Sequence, residues 1–97
     1  MKTVKKAEIY VPTAFTPNND GLNDFLRPIL MGIKEVRYFS IFNRWGHLLF
    51  EMKTDQPGWD GTLKGVPQAA QVVVWVLEGL GIDNNIYRQK GTTVLVR

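Results

Sequence analysis

Residues 71–79 read Gln-Val-Val-Val-Trp-Val-Leu-Glu-Gly, and the six from Val72 to Leu77 are all apolar. Successive side chains of a β-strand point to opposite faces. Val72, Val74 and Val76 then share one face, and Val73, Trp75 and Leu77 share the other. Both faces are apolar, which is the pattern of a central strand with neighbours on each side. The run has strand length. It is far short of the ~18 apolar residues that a membrane-crossing helix needs, and no longer apolar stretch occurs in the chain.

The remaining chain also reads as strands. Twenty-three residues are Val, Ile or Thr, eleven are aromatic, and nine Gly and five Pro punctuate the whole length. That composition favours short strands joined by turns. No window of helix length carries a 3.6-residue apolar stripe with caps. A first strand is expected from Val4 to Pro12, with Ile9 and Val11 on one face. A long polar turn follows from Phe15 to Asp24. Phe25 to Met31 is a second strand, put at an edge by Pro28, which cannot donate to a ladder. Val36 to Asn43 alternates, with Val36, Tyr38, Ser40 and Phe42 on one side and Arg37, Phe39 and Ile41 on the other. Asn43-Arg44-Trp45-Gly46 turns the chain into a return strand from His47 to Met52, so residues 36–52 form a hairpin. Residues 53–68 are irregular, with at most a short strand near Thr62. After Gln71 to Gly79, the turn Gly81-Ile82-Asp83-Asn84-Asn85 leads to a closing strand from Ile86 to Arg97. About seven short strands in this length predict an all-β chain, an antiparallel immunoglobulin-like sandwich.

Ninety-seven residues fit one domain. The expected unit is 1–97, with residues 1–7 as a linker end or an added start. That basic start is followed by no apolar stretch, so it is not read as a secretory signal peptide. The absence of Cys excludes disulfides and thiolate metal sites. Twelve Lys plus Arg against nine Asp plus Glu leave a net charge of +3. The basic residues are scattered, without the stripe that nucleic-acid binding requires. Direct membrane insertion is likewise not expected, nor is any cofactor. The expected state is a monomer.

The inventory is poor for catalysis. One Ser, Ser40, and one His, His47, would have to meet across the hairpin to form a Ser-His-Asp site. Ser40 lies inside a strand, where a hydroxyl ordinarily bonds locally. Asp20 with Asp24 and Asp55 with Asp60 are the available carboxylate pairs, but a small sandwich offers little cleft for glycosidase chemistry. Asn18, Asp20 and Asp24 are weak calcium candidates. Calcium takes about six to eight oxygen ligands, and the distal bidentate Glu of a loop site is missing. The competing reading is a set of Asx-turns, in which these side chains bond neighbouring backbone amides. A lone His47 makes no zinc site without carboxylate help. Trp45 and Trp59 stand in turn-rich sequence and are read either as exposed rings for a partner or sugar, or as covers for the ends of the sandwich. Arg44 is placed to stack on a ring. Trp75 is expected in the core.

Taken together, the turns resemble one family. Val11-Pro12-Thr13-Ala14-Phe15-Thr16-Pro17-Asn18-Asn19-Asp20-Gly21-Leu22-Asn23-Asp24 is similar to its opening. Phe42-Asn43-Arg44-Trp45-Gly46-His47-Leu48-Leu49-Phe50-Glu51 resembles its middle motif. Trp59-Asp60-Gly61, Lys64-Gly65, Pro67 and the strand through Leu77 continue it, and Gly91-Thr92 with Val94, Leu95 and Arg97 resembles its closing strand. The family is the gliding motility-associated C-terminal domain, the type B sorting domain of the type IX secretion system. The resemblance implies a non-catalytic, immunoglobulin-like address label on an exported parent protein. It implies passage through the periplasm and delivery to the cell surface or medium. The implied partners are outer-membrane components of the export machinery and a surface-retention partner protein. One departure stands out: Pro67-Gln68-Ala69-Ala70-Gln71 replaces a small-residue–Gly step, which puts that turn in question.

A label must present a rigid surface. The partner-recognition candidates are Asn43, Arg44, Trp45 and Gly46 in one loop, Trp59, Asp60 and Gly61 in another, and Val96 and Arg97 on the closing strand, which is expected to pair with a partner strand. The alternatives are a carbohydrate-binding or adhesive module using Trp45 and Trp59, and a passive spacer.

Overall fold

A computed structural model describes residues 7–18, 21, 24–52 and 58–97. The protein is all-β. Among the described residues there are nine strands: β1 (Glu8–Tyr10), β2 (Ala14–Phe15), β3 (Ile29–Met31), β4 (Ile33–Phe42), β5 (Leu48–Met52), β6 (Thr62–Leu63), β7 (Val66–Pro67), β8 (Gln71–Gly81) and β9 (Ile86–Leu95). Five make one sheet in the order β2-β9-β8-β4-β5, while β1 pairs with β3 and β6 with β7.

The two-faced apolar run sits at the centre of the large sheet, as its pattern requires. β8 pairs antiparallel with β4 on one side and with β9 on the other. Val73, Trp75 and Leu77 are buried, together with Phe39 and Ile41 of β4 and Leu95 of β9. Val11, Phe15, Leu26 and Trp59 join the same core, and Ile9 and Leu30 of the β1–β3 pair pack against it. Each large side chain removed from water in this way stabilises the fold by about 1.5–3 kcal/mol before ordering costs. Trp75 reaches its place because Gly91 stands opposite it on β9. A Cβ at Gly91 would lie 2.7 Å from Trp75 Cζ2, closer than carbon atoms approach.

Three expectations need correction. The sheet is not wholly antiparallel: β2 runs parallel to β9, Ala14 opposite Val94 and Phe15 opposite Leu95. Pro12 lies between β1 and β2. It has no N–H to give a ladder, and around it the chain leaves β3 and crosses to β9. Phe15 therefore belongs to a strand and the core, not to the polar turn expected to start there. Second, the alternation of β4 breaks. A register shift between Val36 and Tyr38 inserts an unpaired residue, the effect of a bulge. Arg37 then reaches Glu78 across the sheet at 2.9 Å, and Val36 turns to pack on the core, the reverse of the simple alternation. Third, the irregular segment holds a hairpin, β6–β7. Its two turn residues, Lys64 and Gly65, have φ of 53° and 80°, the paired positive values of a two-residue turn matched to strand twist.

Other elements fall close to their expected places. The second strand is shorter than expected, Ile29–Met31, and Leu26 ahead of it forms an isolated bridge with Trp59. The expected strand from Val4 lies partly outside the described residues.

Candidate functional site

The β4–β5 hairpin tip is the most exposed ordered aromatic feature of the chain. Asn43 builds it. Its side-chain Oδ1 accepts hydrogen bonds from the backbone N–H of Trp45 at 2.9 Å and of His47 at 3.0 Å. Its own N–H donates to His47 O at 2.9 Å, and Gly46 N–H donates to Asn43 O at 3.0 Å. Four bonds converge on one residue, so the tip is held without help from a core. Trp45 is 69% exposed there. The Arg44 guanidinium lies 4.5 Å from its ring centroid, within reach of a cation–π contact. The tip thus offers a flat apolar ring, an indole N–H and one cation, the side-chain types that most often anchor protein interfaces. His47 lies at the same tip and is exposed.

The second expected loop serves construction. Trp59 is only 1% exposed. Its ring packs on Phe15 at a centroid separation of 5.5 Å, and its Nε1–H donates to Thr62 O at 2.7 Å. A ring so placed cannot stack on a sugar or enter a partner, so the surface role weighed for Trp59 is set aside. Asp60 Oδ1 accepts from both the N–H and the Oγ1–H of Thr62, at 3.0 and 2.7 Å, closing a local turn. Gly61 is buried and has φ +84°; a Cβ there would lie 2.9 Å from Pro17 Cγ and 3.0 Å from Arg97 Nη2.

The closing strand also differs from its expected role. Val94 and Val96 donate their N–H groups to Thr13 O at 2.9 Å and Phe15 O at 3.0 Å. The edge over Val96 is therefore already paired within the chain and is not free for a partner strand. Arg97 is a staple. Its guanidinium donates to Gln68 O at 2.8 Å, Gly61 O at 2.8 Å and Pro17 O at 3.4 Å, gathering three separate loops. Gln68 N–H also donates to Gly61 O at 2.9 Å. The turn left in question by the Pro67–Gln71 departure is fixed by these contacts instead of by a glycine.

The remaining candidates are not brought together. Ser40 is paired with Glu51 in register, and its Oγ donates to Glu51 Oε2 at 3.3 Å, while His47 is at the tip; the two form no nucleophile–base pair. Asp24 uses its carboxylate locally, Oδ1 accepting Asn18 N–H at 3.1 Å and Oδ2 accepting Gly21 N–H at 2.8 Å. Both carboxylate oxygens are thus turned to backbone amides that precede Asp24 in the chain by three and six residues. Asp20 and Asp55 lie outside the described residues.

Sequence reasoning missed one cluster on the sheet surface. Glu78, 11% exposed at its side chain, takes Arg88 Nε at 2.6 Å and Arg37 Nε at 2.9 Å. The Arg37 half was hidden by the bulge, which places two neighbours of β4 on one face.

The family model described as the CHU_C type IX secretion signal domain matches residues 9–94. The chain belongs to the type IX secretion signal domain family. Searches of curated proteins and of solved structures return no significant match. The signal-domain match runs from Ile9 to Val94, through the opening, middle and Trp59 motifs and into the closing one, of which Leu95 and Arg97 lie past its end. A type IX signal domain acts as a sorting signal for export to the cell surface or extracellular space, and this family is not an enzyme family. The staple and the buried Trp59 give the signal domain a fixed shape. The Asn43 turn gives it a fixed exposed ring.

Proposed function

We propose that this domain is read as a folded object by outer-membrane components of the type IX machinery, and that the Arg44–Trp45 tip is part of what they read. The family match over residues 9–94 carries the export role. The exposure of Trp45 on a turn fixed by Asn43 supports the tip as the contact. A large ring left in water by a protein that buries Trp59 and Trp75 has a poor packing rationale and a good binding one. The parent protein passes through the periplasm and is released or held at the surface with a retention partner. The β1–β3 pair and the Leu26–Trp59 bridge, facing the five-stranded sheet across the core, support an immunoglobulin-like sandwich.

A secretion assay tests this. Residues 1–97 are fused behind a fluorescent reporter that carries a periplasmic export signal. The fusion is expressed in a gliding bacterium with a working type IX system and in a matched strain lacking it, with the partner protein supplied. Reporter outside the cell only in the first strain is the expected result. Trp45→Ala should leave the domain folded and lower the exported fraction several-fold. Export equal in both strains would refute the sorting role; full export of the Trp45→Ala fusion would refute the tip alone.

A further inference from the structure

We propose that the outer face of the five-stranded sheet, over β5, β4, β8 and β9, pairs weakly with the same face of a second copy of this chain. This goes beyond the tip contact and does not depend on it.

Alternation and register fix which side chains this face carries. Val73, Trp75 and Leu77 are buried in the core, so Val72, Val74 and Val76 of β8 point away from it. On β9, Thr93 and Leu95 are buried, and a Cβ at Gly91 would meet the Trp75 ring. Lys90, Thr92 and Val94 therefore point outward. On β4, Phe39 and Ile41 are buried, so Ser40 and Phe42 point outward. Ser40 is small and buried, its hydroxyl meeting Glu51 Oε2 at 3.3 Å. Val72, Val94 and Leu48 are 46, 42 and 49% exposed, and Val74, Val76 and Phe42 are half-buried. The β1–β3 pair, Leu26 and Trp59 pack on the opposite, core-facing side.

The cross-strand rows of this face are self-complementary. One runs Glu51–Ser40–Val76–Lys90 across β5, β4, β8 and β9. It starts on a carboxylate, ends on an ammonium and is uncharged between. Both ends are exposed, and among the described residues neither has an ion-pair partner. The next row, Leu48–Phe42–Val74–Thr92, carries no charge. A two-fold axis parallel to the strands, midway between β4 and β8, exchanges β4 with β8 and β5 with β9. It sets Lys90 of each copy over Glu51 of the other, Val74 over Phe42 and Leu48 over Thr92. A two-fold dimer uses the same patch on both subunits in this way. Facing sheets pack about 10 Å apart with strand directions within about 30°, a gap that extended Lys and Glu side chains close between them. An anionic lipid surface fits worse, because it would face Glu51 as well as Lys90.

The size of the face sets the strength. From Val72 to Val76, four strands about 4.8 Å apart offer roughly 300 Å² per copy. Stable interfaces bury about 800 Å² per partner, so this contact is weak, with a Kd of about 0.1–1 mM. Chains held side by side reach effective concentrations of that order. Dilute chains stay monomeric, the state expected from the sequence.

The test uses the isotope-labelled chain of residues 1–97 in a dilution series up to about 2 mM, followed by NMR and sedimentation equilibrium. The expected result is a mass rising toward two chains, with shifts centred on the rows from Glu51 to Lys90 and from Leu48 to Thr92. Lys90→Glu and Glu51→Lys, both exposed changes, should each weaken pairing about tenfold, since two attractive pairs become two repulsive ones. Mixing the two variants in equal amounts should restore it, because every facing pair is then again of opposite charge. An unchanged mass at the highest concentration would overturn the proposal. So would shifts mapping to the Trp45 tip or the β1–β3 pair, or a mixture that associates no better than either variant alone.

Discussion

Arg97 Nη2 donates to Gly61 O at 2.8 Å, and the same nitrogen fills the space where a Cβ of residue 61 would sit, 3.0 Å away. The staple and the glycine therefore specify each other. Arg97→Ala should cost about 1–2 kcal/mol, since charge-assisted hydrogen bonds contribute more than neutral ones but this side chain is partly solvated. Arg97→Lys should recover less than half, because an ammonium has no fork to span Gln68 O and Gly61 O. Urea denaturation checks both: the midpoint falls while the slope stays constant. A midpoint unmoved by Arg97→Ala would dismiss the staple.

Trp75 and Gly91 form the other close pair. Gly91→Val should destabilise by about 2–3 kcal/mol through overpacking against the indole. Trp75→Phe in the same chain should relieve part of that, giving a positive coupling in a double-mutant cycle. Additive effects would show that the two residues do not compete for the same space.

Trp59 and Trp45 should behave oppositely. Trp59→Ala removes a fully buried ring and its bond to Thr62 O, and should cost about 3–5 kcal/mol. Trp45→Ala should shift stability by less than ~0.5 kcal/mol, as for exposed positions generally. Thermal melts of the two variants decide this directly; equal losses would contradict the placement of one of them.

The β8–β9 turn should respond to pH. The Tyr87 hydroxyl, followed by Asn85 N–H, holds the Asp83 carboxyl below its ordinary 3.8. The same bond pushes the Tyr87 hydroxyl above its ordinary 10.0. A depressed carboxyl stabilises above its unfolded value and loses that contribution as pH falls through the folded value. For Tyr87 the contribution is present below about 10 and is lost as pH rises through the raised value. Tyr87→Phe should move the Asp83 midpoint upward in an NMR titration. An unchanged midpoint would show that the hydroxyl does not act on it.

Much of this was legible from side-chain alternation alone. Gln71 to Gly79 declared a central strand, and Asn43 to Gly46 declared the hairpin tip, because local pattern and final burial agree there. The failures share one cause: long-range geometry overrode local signal. Simple alternation puts Arg37 on the core face, and the bulge that turns it outward leaves no mark in composition. The Lys64–Gly65 turn lacks the Asn-Gly signature, so its hairpin was missed. Trp59 sits among Gly and Asp as an exposed ring would, yet the bridge to Leu26 draws it inside. Arg97 reads in the sequence as a contact for a partner, whereas three carbonyls of its own chain receive its guanidinium.

The parallel pairing of β2 with β9 has a mechanical side. A pull on the N-terminal side of β2 against the C-terminal side of β9 runs along both strands in opposite senses. The bonds from Val94 to Thr13 and Val96 to Phe15, with Thr93 Oγ1 donating to Pro12 O at 2.7 Å, are then loaded together in shear and cannot unzip one at a time. Forced unfolding is governed by the unfolding rate, not by equilibrium stability. A tether carrying load through its two ends would thus resist tension better than its melting temperature indicates.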